Sequence, residues 1–84
     1  MPILSRFHGI SIYMYFFASE HNPPHIHAIC AGDMAIIRID DGKIIEGSLP
    51  RKTLSLIRRW MTIHRCELLQ MWETQEFKPI DPLS

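Results

Sequence analysis

Cysteine is scarce: Cys30 and Cys66 are the only two. Two isolated cysteines without metal-type spacing give no disulfide framework and read as small apolar residues of an intracellular chain. Long apolar runs are lacking as well, since none approaches the roughly 18 residues needed to cross a bilayer. The start Met1-Pro2-Ile3-Leu4-Ser5-Arg6 has no cationic segment followed by an apolar core. No membrane association is therefore expected, and the cytoplasm is the expected compartment. A Gly-rich phosphate loop, a nucleophile elbow, a His-Glu-x-x-His helix and a Cys/His dyad are all missing. No cofactor and no dedicated metal site are expected.

What is present is one domain spanning residues 1–84, too short for a second core. The apolar fraction of 46% is that of a folded protein rather than a disordered one. Trp60, Trp72 and the run Tyr13-Met14-Tyr15-Phe16-Phe17 are a heavy apolar load for so small a body. A homo- or hetero-oligomer would cover part of it.

The period of the apolar residues divides the chain. His8 to Phe16 is rich in β-branched and aromatic residues and reads as one well-covered strand. Pro23 and Pro24 interrupt pairing, and a strand resumes at His25. His25 to Cys30 and Met34 to Ile39 flank the short link Ala31-Gly32-Asp33, and Asp41-Gly42 is a favoured pair for a tight hairpin turn into Lys43 to Glu46. From about residue 49 the period becomes helical. Leu54, Ile57, Met61, His64, Leu68 and Met71 share one stripe, widened by Trp60 and Trp72, with Ser48 as the N-cap and an end near 75. The expected architecture is α+β: about four antiparallel strands over residues 7–47, a long helix over about 49–75 across one face, and a tail over 76–84.

Polar chemistry concentrates in two places. Glu20-His21-Asn22-Pro23-Pro24-His25-Ile26-His27 holds three imidazoles. His25 and His27, two apart in a strand, leave the same face, and His21 can fold over it from the loop. Convergent imidazoles suit acid–base work near neutral pH or metal ligation, while histidines in a turn can equally bond backbone carbonyls and only shape it. The second place is a basic stretch: the net charge is zero, yet residues 47–66 carry Arg51, Lys52, Arg58, Arg59 and Arg65 with no acid. Arg51, Arg58 and Arg65 recur every seven residues and share a helical line able to bind phosphate or an acidic protein, or simply to be solvated. His8 and His64, alone in their surroundings, read as satisfied structural histidines.

Ser5-Arg6-Phe7 with Gly9, Ile12 to Tyr15, Glu20 to Ala28, Ile45 to Pro50, and Trp60 with His64-Arg65 and Glu67-Leu68 together resemble the bacterial family catalogued as domain of unknown function 4160. Asn22-Pro23-Pro24-His25-Ile26-His27 is the specific part, with Ile26 where the family often has phenylalanine. The resemblance implies the toxin half of a type II toxin–antitoxin pair, neutralised by an antitoxin encoded next to it from the family called domain of unknown function 2442. It supplies no catalytic residues. The combined expectation is a toxin acting on RNA, with His21, His25 and His27 as metal-independent acid–base groups and Arg51, Arg58 and Arg65 holding phosphate. A non-enzymatic interaction module using the His/Pro loop is the alternative, and a metal-binding protein the third.

Overall fold

The structure, a computed structural model, describes residues 3–15 and 23–83. Five strands, β1 (Ile3–Phe7), β2 (Ile10–Tyr13), β3 (His25–Cys30), β4 (Asp33–Arg38) and β5 (Ile44–Gly47), form one antiparallel sheet in chain order, followed by a helix, α1 (Arg51–Thr74). The α+β expectation holds, with five strands rather than about four.

The extra strand arises because His8-Gly9 is a turn and not the start of a strand. Both residues have positive φ, 50° and 77°, and Phe7 pairs with Ile10 across them. Two positive φ values in a two-residue loop give the backward twist that antiparallel strands require. Ala31-Gly32 repeats the device between β3 and β4, at φ 51° and 88°. The Asp41-Gly42 link is longer than the tight pair expected. Ile39 is fully buried and donates its N–H to the Pro24 carbonyl, so pairing stops at Arg38, whose N–H meets the Lys43 carbonyl around a four-residue loop. Asp41 closes that loop by accepting from the Arg38 guanidinium and the Lys43 N–H, which hold its carboxyl well below the usual carboxylate range.

Alternation assigns the two faces of the sheet. Ile10, Ile12, Ile26, Ala28, Ala35 and Ile37 are buried under α1, which contributes Ile57, Trp60, Met61, Leu68, Met71 and Trp72 to the same core. Trp60 meets Phe7 of β1 with ring centroids 5.7 Å apart. The predicted stripe is correct except that Leu54 and His64 are only half-buried. Ser48 does not cap the helix: its N–H extends the sheet by donating to Met34, and Pro50 occupies the N-cap position with no side-chain cap. At the other end Gln75 adopts a left-handed conformation and returns its N–H to Met71, closing the last turn.

Two features depart from a simple helix and tail. α1 breaks its regular geometry at His64, φ −109° and ψ 18°, two residues after the Thr62 hydroxyl bonds back to the Arg58 carbonyl, a contact that bends helices. The segment after α1 is part of the core rather than a loose tail. Ile80 is buried and its N–H donates to Leu4 on edge strand β1, while the Trp60 indole N–H donates to the Asp81 carbonyl. Cys30 packs partly against the core, whereas Cys66 is exposed, and both are free thiols.

Candidate functional site

Register builds the site on the face of the sheet away from the core. Tyr13, His27, Ile36 and Glu46 lie side by side across four strands, and His25 stands opposite Arg38 two pairs along. The two-residue spacing on β3 does bring His25 and His27 together, with ring centroids 5.3 Å apart. His21 and Glu20 lie outside the described residues.

The two imidazoles differ in their surroundings. His25 Nδ1 is 2.8 Å from the Pro23 carbonyl oxygen. A carbonyl only accepts, so Nδ1 carries the proton and Nε2 is left to interact elsewhere. Pro23 and Pro24 thus have a specific effect: the stiff turn offers a carbonyl that orients the first histidine of the strand. His27 is half-buried, and its ring meets Tyr15 edge-on at 4.4 Å. Burial, reinforced by the nearby His25, pushes its pKa below the ordinary 6.5, while Glu46 on β5 opposes the shift. His27 is therefore neutral at neutral pH.

Long-range packing completes the site. Beyond the bend in α1, Trp72 reaches the start of β3, its ring 4.9 Å from His25. A cleft of about 510 Å³ opens there, lined by Pro24, Leu69, Gln70, Trp72 and Glu73. Tyr13 and Tyr15, stacked at 6.5 Å, flank His27 on the opposite side. Trp72 as a neighbour of the histidines was not readable from helical spacing. Tyr13 and Tyr15 carried a usable signal, because they are two residues apart, as His25 and His27 are on β3, although β2 itself ends at Tyr13.

The basic line does not form a uniform surface. Arg51 is exposed in the first turn of α1. Arg58 packs its side chain on Gly42 and donates Nε to the Gly42 carbonyl at 2.9 Å, which ties it to the β4–β5 loop. Arg65 is half-buried with its Nε lacking a hydrogen-bond partner, and it precedes Leu69 and Trp72 by four and seven residues, so it shares their side of the helix. His64, read as a satisfied histidine, meets Glu67 at 3.0 Å and the Trp60 ring at 5.3 Å. Among the described residues no group of three or more His, Cys, Asp or Glu side chains is arranged to hold a metal ion, and no helix is long and apolar enough to cross a membrane.

Residues 9–73 match the family described as domain of unknown function DUF4160. The chain belongs to the DUF4160 family. Most of the sheet, nearly all of α1 and the cleft lie within the match. Strand β1 and the Ile80 segment, which cover one sheet edge and part of the core of this DUF4160 protein, lie outside it. No curated protein and no solved structure matches the chain.

Proposed function

We propose that this DUF4160 protein is the toxin half of a toxin–antitoxin pair and cleaves RNA by acid–base catalysis. The observation that supports this reading is the juxtaposition of two unlike imidazoles, neutral His27 and carbonyl-oriented His25, beside a cleft. His27 takes the proton of a ribose 2′-hydroxyl. The 2′-oxygen attacks the adjacent phosphorus, forming the new P–O bond as the bond to the 5′-oxygen breaks. His25, when protonated at both nitrogens, gives the Nε2 proton to that leaving oxygen. The products are a 2′,3′-cyclic phosphate and a 5′-hydroxyl, and two imidazoles supply both proton transfers. Arg65, on the cleft side of α1, offers a guanidinium for the phosphate, with Arg51 and Arg58 further along the line and His21 as a third imidazole.

Expression of the chain alone should slow growth, and co-expression with the antitoxin encoded beside it should restore growth. His25→Ala and His27→Ala should each abolish toxicity with thermal melts close to that of the parent. Replacing Arg65 by glutamate should weaken RNA binding in a salt-dependent manner. Normal growth at verified high expression removes the toxin reading, and histidine variants that remain folded and fully toxic remove the catalytic one. The non-enzymatic reading, a module that docks on another protein, draws on the exposed apolar residues Met34 and Ile45 of β4 and β5. It gains ground if toxicity survives the histidine variants.

A further inference from the structure

The geometry points to an interface between two copies of this chain: we infer that the face of the sheet opposite α1 packs on the same face of a second copy, with Arg6 of each copy paired to Glu46 of the other. The interface stands independently of the RNA reading; only its effect on the histidine pair rests on that reading.

The helix covers one side of the sheet, and among the described residues no strand or helix crosses the other. Register aligns two rows of side chains on that open side. Arg6, Ser11, Ile29 and Met34 form one row, and Tyr13, His27, Ile36 and Glu46 the next, with Ile3 beside Tyr13. Ile3 and Met34 are 36% and 43% exposed, and Tyr13, Ile29 and Ile36 between them are half-buried. Single apolar side chains on a surface are ordinary, whereas a contiguous apolar sheet face marks a contact surface. Five strands about 4.8 Å apart, with about 3.3 Å per residue along each, give a face of roughly 24 by 17 Å, so two such faces remove on the order of 1,000 Å² from water, the lower limit for a specific, reversible association.

Charge selects the occupant and its orientation. Arg6 stands on edge strand β1 and Glu46 on the opposite edge strand β5, and neither has an ion-pair partner among the described residues. Arg38, the other charged strand residue on this face, is already paired with Asp41. The face thus carries a cation at one edge and an anion at the other, which makes it complementary to itself, as a two-fold interface requires. A two-fold axis parallel to the strands and above central strand β3 sets β1 of each copy over β5 of the other. Arg6 then meets Glu46 twice, one row or about 7 Å away along the strands and across the about 10 Å between packed sheets, a span that the two extended side chains bridge. An axis across the strands would instead bring Arg6 toward Arg6 and Glu46 toward Glu46, which like charges oppose. The net charge of zero leaves no overall repulsion between copies. His27 lies on β3 beneath the axis, and because it is neutral at neutral pH its closure buries no unpaired charge. On the RNA reading, the dimer covers His27 and is the silent form, so that RNA and the second copy exclude each other.

Sedimentation velocity of the full-length protein over a concentration series tests the interface without any RNA. A reversible equilibrium between monomer and dimer is expected. Arg6→Glu and Glu46→Arg, both at exposed positions, should each weaken the dimer about ten-fold or more, and the double variant Arg6→Glu with Glu46→Arg should restore it. Met34→Glu should weaken it as well, whereas Ile63→Glu, at the most exposed apolar position of α1, should leave it unchanged. Circular dichroism melts of all variants should stay close to that of the parent. A monomer at every concentration overturns the inference, as does a dimer that is insensitive to the two charge reversals or is broken by Ile63→Glu instead of Met34→Glu. A double variant that fails to regain the dimer overturns the orientation and with it the assigned pairing. The charge-swap pattern in a protein that binds no RNA removes the RNA reading and leaves the dimer standing; RNA binding by a strictly monomeric protein does the reverse.

Discussion

Gly47 offers the sharpest test of the sheet that carries the site. It lies on β5 opposite Ala35 with φ of 83°, and a Cβ there would overlap the Met34 carbonyl oxygen and stand 3.0 Å from the Ala35 Cα. Those atoms belong to the backbone of β4 and cannot rotate away, so Gly47→Ala must push the two strands apart. The left-handed conformation alone costs an L-residue about 1–2 kcal/mol. Separation of the strands also weakens the ladder near Ala35 and Ile36 and the bond from Ser48 to Met34, each contributing roughly 0.5–1.5 kcal/mol. A total of about 3–4 kcal/mol follows. Gly9 is the internal control, because its φ of 77° is nearly the same but nothing lies within 4 Å of the added Cβ. Gly9→Ala should therefore cost only the conformational part, about 1–2 kcal/mol. Urea unfolding followed by circular dichroism measures both, and the gap of about 2 kcal/mol corresponds to roughly 8–16 °C in melting temperature for a chain of this size. If Gly47→Ala costs no more than Gly9→Ala, the close approach of β5 to β4 is wrong, and so is the position of Glu46 two strands from His27 on the same face.

Two further outcomes follow from the packing and from the site. His27 binds its proton more weakly when folded than when unfolded, so its contribution to stability is full above pH 6.5 and is lost as the pH falls from 6.5 toward the lowered folded value. The melting temperature should drop over that interval more in the parent than in His27→Gln, and parallel pH profiles would refute the assignment. Ile80→Ala should destabilise by roughly 2–5 kcal/mol in the same urea assay, as for a core isoleucine, whereas a change under 0.5 kcal/mol would mean that the segment after α1 does not pack as described.

How much of this was legible in the sequence depends on the range of the interaction. The helical stripe from Ile57 to Trp72 and the common face of His25 and His27 follow from the periods of 3.6 and 2, which are local properties of the chain. Strand β1 was hidden because its turn begins with His8, a residue less typical of a left-handed turn position than Asn or Gly, so His8 and Gly9 read as the start of the strand that continues to Phe16. The Asp41-Gly42 pair signalled a turn correctly but not its length. That length is set by Ile39, whose burial and bond to Pro24 belong to the tertiary structure.

The same distinction explains why the histidines were found and their environment was not. A cluster within seven residues announces itself, but its chemistry depends on what the fold brings to it. Trp72 arrives from forty-seven positions along the chain and Glu46 from two strands away, and neither carries a local mark of that role. The basic line shows the converse. Arg51, Arg58 and Arg65 are equivalent by spacing, yet Arg58 is tied to Gly42, Arg65 has a buried Nε without a partner, and Arg51 stands in solvent. Equivalence along a helix is a statement about direction only. The environment that each direction meets is fixed by the sheet and the loops, and that environment separates a guanidinium that staples a turn from one whose Nε is buried without a partner.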